Sequence, residues 1–185
     1  MCGIAGIVSF DPDRPVPHPV VEEMSRRMLA RGPDGSGFWS EPGIAIAHRR
    51  LAILDLSPAG KQPMQSACGR FVVSFNGEIY NFADVARELG FSGQLRSRSD
   101  TEVLVEAWAR LGPACLDRFV GQFAFAIVDR ETREFWIARD RFGEKPVFYH
   151  ADSERLSFAS SIAALLAVPG VSRELDHDAL AEFLT

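Results

Sequence analysis

Cysteine is scarce in this chain of 185 residues, and the three that it has, Cys2, Cys68 and Cys115, form no close pair. An odd number of widely spaced cysteines indicates neither a disulfide framework nor a zinc site. We therefore predict that the protein holds no metal and works in a reducing, cytoplasmic compartment.

The sequence also lacks a long apolar run and an excess of positive charge. No stretch approaches the roughly 20 apolar residues of a membrane helix, and the first residues lack the basic-then-apolar order of a signal peptide. The formal net charge of −5 disfavours nucleic acid and anionic membranes as partners. With 46% hydrophobic residues, the chain can bury one core, so we predict a single domain over residues 1–185.

The hydrophobic pattern predicts an α+β fold. Residues 31–37 contain so much glycine and proline that we expect a loop there. The predicted helices lie at 19–30, 82–90 and 100–111, with shorter ones starting near 160 and 176. Strands are expected at 3–10, 44–48, 50–54 and 70–76, and hairpins across 119–159. This order lacks a regular β-α-β alternation, which favours antiparallel sheets covered by helices.

Cys2 is a candidate nucleophile. Initiator methionine is removed when the next side chain is small, which would leave a cysteine as the first residue. Its α-amine would titrate near pH ~8 and its thiol near ~8.5. The amine could then serve as the general base for the thiol of the same residue. The alternative is that a cysteine at position two has no functional meaning.

Asn76 and Gly77 follow an apolar strand, and their side-chain and backbone N–H groups could converge on one oxygen. Such a pair would stabilise an oxyanion by about 3 kcal/mol per donor, although an ordinary Asn-Gly turn is the alternative. Arg50, at a strand end, is either a solvated edge residue or a carboxylate clamp. Asp100 either caps a helix or binds an ammonium group.

Six segments of the chain occur in the order seen in one family. They are Cys2-Gly3-Ile4, Arg31-Gly32-Pro33-Asp34, His48-Arg49-Arg50-Leu51-Ala52-Ile53, Asn76-Gly77-Glu78-Ile79-Tyr80-Asn81, Ser99-Asp100-Thr101-Glu102 and Asp140-Arg141-Phe142-Gly143-Glu144-Lys145-Pro146. The chain resembles the N-terminal glutaminase domain of the class II glutamine amidotransferases and, within them, the asparagine synthetase group. The resemblance covers essentially all 185 residues.

The resemblance implies a fold and a catalytic set. The fold is the αββα sandwich of the N-terminal nucleophile hydrolases, with two stacked antiparallel sheets and helices outside. Cys2 would attack the side-chain amide of L-glutamine, while Asn76 and Gly77 would form the oxyanion hole. Water would then hydrolyse the thioester to glutamate.

The resemblance also implies a set of substrate-binding residues. Arg50 would hold the α-carboxylate of glutamine, and Asp100 would bind its α-ammonium group with Glu78 beside it. Backbone groups near Leu51 and Ile53 would complete the pocket. Reading both charged ends of the substrate selects the chain length that places the amide at the thiol.

A synthetase domain or subunit is the partner that the resemblance implies, and a homodimer is compatible with it. The glutaminase domain needs no cofactor, whereas ATP and Mg²⁺ belong to the synthetase part, which converts aspartate to asparagine. That part is absent from this sequence, so we expect a fragment of a longer chain that continues past Thr185.

Two alternatives to asparagine synthesis stay open. Ser161 and Ala163 stand where the family pattern has Glu and Lys, which puts the coupling to the synthetase half in question. The ammonia could instead serve an acceptor in secondary metabolism or sugar biosynthesis. A non-catalytic interaction module with the same fold is the second alternative.

Overall fold

Two antiparallel sheets form the centre of the computed structural model, which describes residues 1–184. The first sheet has the strand order β2-β3-β1-β9-β8, and the second has the order β4-β5-β6-β7. The strands are β1 (Gly3–Ser9), β2 (Gly35–Glu41), β3 (Ile44–Arg50), β4 (Met64–Gln65), β5 (Phe71–Ile79), β6 (Gly121–Asp129), β7 (Phe135–Arg139), β8 (Phe148–Ala151) and β9 (Arg155–Ala159).

The helices lie close to their predicted positions. They are α1 (His18–Arg26), α2 (Phe82–Glu88), α3 (Asp100–Leu111), α4 (Ile162–Leu165) and α5 (His177–Leu184). At the start of α3, the Ser99 hydroxyl accepts a hydrogen bond from the Thr101 amide at 3.1 Å, a standard N-cap. Asp176 accepts in the same way from the Ala179 amide, at 3.0 Å, before α5.

Apolar residues sort into layers that define the architecture. Helices α1 and α4 pack on the outer face of the first sheet, and α2 and α3 pack on the outer face of the second. Between the sheets lies a third cluster, whose buried members are Ile4, Ile44, Ile46, Val72, Ala124, Ala126, Val128 and Phe158. The order helix, sheet, sheet, helix confirms the predicted αββα sandwich.

Strand parity explains why polar residues gather at one end of the layer between the sheets. Successive side chains of a strand alternate between its two faces. Ile4, Ile46 and Val72 point between the sheets, so Cys2 and Arg50, at even spacing from them, belong to the same faces. The same holds for the even-numbered positions 76 and 78 of β5. One end of the layer therefore collects polar groups where its middle is apolar.

Two sequence-based predictions about strands are wrong. Residues 35–37, which fall in the predicted loop 31–37, belong instead to the edge strand β2, which pairs with β3 from Gly35 opposite Arg50 to Glu41 opposite Ile44. Residues 51–54 leave the sheet instead of continuing it, and Ile53 is 66% exposed. The Ala52 amide donates to the Asp34 carboxylate at 2.9 Å, which turns the chain away after β3.

Within residues 1–184, the helices are all too short or too polar to cross a lipid bilayer. The same residues contain no group of three or more His, Cys, Asp or Glu side chains placed to hold a metal ion.

Candidate active site

All the site residues predicted from the sequence line one cavity of about 250 Å³ at the polar end of the layer between the sheets. They are Cys2, Arg50, Leu51, Ile53, Asn76, Gly77, Glu78 and Asp100. They come from the start of β1, the loop after β3, the end of β5 and the first residue of α3. Segments far apart in the sequence thus meet at a single opening.

Cys2 lies at the base of the cavity, against the backbone of Leu51. The Leu51 N–H donates to Cys2 Sγ at 3.4 Å, and the thiol lies 3.6 Å from the Leu51 carbonyl oxygen. Burial raises the pKa of the thiol above its ordinary value, and the Leu51 hydrogen bond and the positive chain terminus act in the opposite direction. The thiol therefore needs a nearby base in order to react at neutral pH.

Asn76 places an unused donor in the cavity. Its side chain is 1% exposed, and among the described residues its Nδ2 has no hydrogen-bond partner. A buried polar group without a partner costs free energy and calls for an explanation. A ligand oxygen in the cavity would supply the missing acceptor.

The Gly77 amide faces the same opening, as the pairing of β5 with β6 shows. Gly77 stands opposite Phe123. The N–H and C=O of Phe123 both point away from β5, because they bond the Asp140 side chain at 3.1 Å and the Asp140 N–H at 2.7 Å. In an antiparallel pair the opposite residue then turns its own amide away as well. The Gly77 N–H thus points to the far edge of β5, beyond the end of β4.

Arg50 holds the loop that forms one wall of the cavity. Its Nη1 donates to the Ser57 carbonyl at 3.0 Å, and its Nη2 donates to the Asp55 carbonyl. A guanidinium has five N–H donors, so these bonds leave others for a ligand. The positive group is thereby fixed at the cavity wall.

Asp100 is a buried carboxylate at the first residue of α3. Its Oδ2 accepts a hydrogen bond from the Ile79 amide at 2.9 Å, which ties α3 to the end of β5. Burial raises the pKa of Asp100 to about 6, and the nearby Glu78 carboxylate adds to the rise. A cation bound beside Asp100 would stabilise its ionised form.

Three further polar residues around the cavity were missed by the sequence analysis. Gln62 and Thr101 line it and hydrogen-bond each other. Arg31, whose motif contributed to the family resemblance, donates from Nε to the Cys2 carbonyl at 3.1 Å. Gln62 lies outside the six segments that carry the resemblance, and Thr101 stands in one of them without an assigned role, because their partners lie distant in the sequence.

Ser161 and Ala163, the two departures from the family pattern, lie away from the cavity. The Ser161 hydroxyl accepts from the Ala164 amide at 3.3 Å and caps α4. The Ala163 carbonyl accepts from Arg27 of α1 at 3.0 Å. Neither lines the cavity, so the departures leave the candidate site unchanged.

Comparison with known proteins gives a consistent result. The profile of the glutamine amidotransferase domain family matches residues 1–185. Glutamine-hydrolysing asparagine synthetase 3 of Bacillus subtilis (strain 168) is 37% identical over 187 residues, covering 98% of this chain and 30% of that protein. Asparagine synthetase B of Escherichia coli (strain K12) is 37% identical over 169 residues, covering 91% of this chain and 30% of that protein.

A solved structure shares the fold. It is the glutamine phosphoribosylpyrophosphate amidotransferase of B. subtilis, complexed with ADP and GMP. The TM-score is 0.75 at 20% sequence identity, over 90% of this chain and 43% of that one. This likeness confirms the αββα sandwich that the sequence resemblance implied.

Proposed function

Because the chain belongs to the glutamine amidotransferase domain family, we propose that it hydrolyses the side-chain amide of L-glutamine and delivers the ammonia to a synthetase. The observation that carries this proposal is the pair of unused donors, Asn76 Nδ2 and the Gly77 N–H, in the cavity that also contains the Cys2 thiol.

The reaction starts from Cys2 after removal of Met1. The freed α-amine takes the thiol proton, and the sulfur attacks the amide carbon of glutamine. The carbonyl oxygen becomes an oxyanion, which the donors of Asn76 and Gly77 stabilise. The C–N bond then breaks, and the proton held by the amine leaves with ammonia. Water attacks the resulting thioester, releasing glutamate and restoring the thiol.

The α-carboxylate and the α-ammonium group of the substrate are each held by residues of the opposite charge. The free N–H donors of Arg50 bind the α-carboxylate, and Asp100 with Glu78 binds the α-ammonium group. A shorter or longer amino acid held in this way would miss the thiol with its amide, so the two charged contacts measure chain length.

We further propose aspartate as the acceptor of the ammonia. The matched asparagine synthetases are more than three times as long as the region they share with this chain, since it spans 30% of their length. In this proposal ATP and Mg²⁺ act in the synthetase part and not in residues 1–185.

Cys2→Ala is the decisive test of the glutaminase activity. We expect the variant to lose the release of glutamate and ammonia from glutamine while its melting temperature stays that of the parent. The matched control is Cys68→Ala, which removes an exposed thiol outside the cavity and should keep parental activity. Intact mass measurement on the active protein should show the loss of one methionine.

Turnover that survives in Cys2→Ala would reject Cys2 as the nucleophile. An active protein that retains Met1 would reject the α-amine as the base, since that nitrogen would be locked in a peptide bond.

A further inference from the structure

Phe75 marks a gap in the hydrogen-bond ladder beside the site. Strand β4 pairs only Met64 with Val73 and Gln65 with Val72. Beyond that point the edge of β5 has no strand neighbour, so the peptide groups of Phe75 need other partners. Phe75 is also the residue before the proposed oxyanion donor Asn76.

Gln62 fills this gap with its side chain. Its Oε1 accepts a hydrogen bond from the Phe75 N–H at 2.7 Å. Because that N–H can only donate, the oxygen of the Gln62 amide must face β5 and its nitrogen must face the other way. Gln62 is buried, at 6% exposure, so this orientation has no competition from solvent.

The nitrogen of the Gln62 amide reaches α3. Its Nε2 donates to the Thr101 hydroxyl at 3.1 Å, and Thr101 is 2% exposed. Thr101 follows Asp100, the proposed ammonium-binding residue. One buried side chain thus connects the backbone before Asn76 to the helix turn that carries Asp100.

His48 holds the other backbone group of the same residue, the Phe75 carbonyl. Its Nε2 lies 3.1 Å from the Phe75 carbonyl oxygen, which can only accept, so Nε2 carries the proton. Burial lowers the pKa of His48 to about 4, which keeps the ring neutral. With Gln62 on its N–H and His48 on its C=O, Phe75 is fixed at both groups.

Building on the proposed glutaminase activity, we propose that Gln62 is a positioning residue. Its hydrogen bonds to Phe75 and Thr101 set the separation between the oxyanion donors on β5 and the ammonium-binding carboxylate on α3. Glutamine spans these two points, so the separation decides whether its amide carbon meets the thiol. A misplacement of about 1 Å lowers the rate by about a hundredfold.

Four variants of the full chain test this role. KM for glutamine is measured for each, and kcat is calculated per Cys2 that an electrophilic glutamine analogue can label. Gln62→Met keeps the length and loses both hydrogen bonds, so kcat/KM should fall about 10- to 100-fold. Gln62→Glu should recover to within a few-fold of the parent. Ionised or protonated, its carboxyl group accepts from Phe75 and can pair with the Thr101 hydroxyl, which rotates freely.

The Thr101 variants test the helix end of the connection. Thr101→Val removes the hydroxyl at nearly constant shape, and we expect KM to rise more than kcat falls, because Asp100 is the neighbour affected. Thr101→Ser keeps the hydroxyl and is the matched control, with parental KM and kcat.

The outcomes separate this inference from the function on which it rests. A parent protein that releases no ammonia from glutamine would overturn the glutaminase proposal itself. If the parent is active and Gln62→Met keeps both the parental KM and the parental kcat per labelled Cys2, only the positioning role is overturned. Equal losses in Gln62→Met and Gln62→Glu would overturn it as well, since recovery by the hydrogen-bonding variant is the signature of positioning.

Discussion

Single residues at the site carry buried polar groups whose burial costs free energy in the absence of a ligand. Asn76 Nδ2 lacks an acceptor among the described residues. Burial disfavours the ionised form of Asp100 and raises its pKa to about 6. Both costs would be relieved by glutamine, which brings a carbonyl oxygen and an ammonium group.

Glutamine binding should therefore depend on pH through Asp100. In the proposed site the carboxylate form of Asp100 binds the ammonium group, so affinity should weaken as the pH falls below about 6, by up to about tenfold per pH unit. Glutamine itself does not titrate between pH 4 and 8. The measurement is calorimetric binding to Cys2→Ala, which we expect not to turn glutamine over and which has no thiol in the cavity.

The double variant Cys2→Ala/Asp100→Asn is the control for this prediction. It should bind glutamine weakly and with no change of affinity between pH 4 and 8. A parental pH dependence in the double variant would assign the titration to a group other than Asp100.

Asp100 should also affect stability, with a sign that follows from its raised pKa. The neutral form favours folding below pH 3.8, and this contribution is lost as the pH rises through about 6. Asp100→Asn keeps a side-chain oxygen for the Ile79 amide and carries no charge. Its free energy of unfolding should exceed that of the parent by up to about 3 kcal/mol at pH 8, and the excess should vanish near pH 4 in urea titrations.

Among the elements, β5 and β6 approach each other closely at Gly77. A Cβ atom there would lie 2.4 Å from the Gln122 carbonyl oxygen and 2.6 Å from Phe123 Cβ. Gly77→Ala should therefore push the strands apart and lower the free energy of unfolding by about 1–3 kcal/mol. Glutamine turnover should fall in the same variant, because the displaced amide is a proposed oxyanion donor.

Gly35→Ala is a matched control on β2. A Cβ at Gly35 would have its nearest neighbour at 3.8 Å, an ordinary contact with Arg50 Cβ. We expect the free energy of unfolding to change by less than about 0.5 kcal/mol. A Gly77→Ala protein as stable as the control would show that the strands adjust without cost.

The elements that the sequence analysis placed wrongly are those set by distant contacts. Residues 35–37 look like part of a loop because of their glycines, yet they lie in β2. Gly37 has no room there for a Cβ, which would lie 1.7 Å from the Gln62 carbonyl oxygen. Leu51 to Leu54 resemble a buried strand, but Asp34 binds the Ala52 amide and Arg50 binds carbonyls at 55 and 57. Local patterns cannot contain such partners.

At the scale of the whole molecule, the layers of sheets and helices were predictable from the sequence. The hydrogen bonds that join the layers were not. Alternation of apolar residues in β5 and β6 fixes which face meets the other sheet, and the family resemblance placed Cys2, Asn76 and Asp100 together. The contacts of Gln62 and His48 with Phe75 were not predicted. They span 13 residues of sequence for Gln62 and 27 for His48. Such contacts require the folded arrangement of both sheets.

The proposed acceptor is also a matter of the whole molecule. The full-length gene product, supplied with ATP, Mg²⁺, aspartate and amide-labelled ¹⁵N-glutamine, should place the label in the side chain of asparagine. Cys2→Ala should abolish this transfer and still make asparagine from free ammonium. Label that appears in an aminated sugar, or only in ammonia, would rule out aspartate as the acceptor.

The short strand β4 leaves part of the edge of β5 without a strand neighbour. An open strand edge is a template on which another chain can add and aggregate. Here Gln62 occupies the edge of β5 at Phe75, and Asp100 occupies it at Ile79. The remaining opening, at Gly77, is one amide wide. It admits a single oxygen atom but cannot accept an extended peptide, so this edge of β5 can stay open for chemistry without offering a template for strand addition.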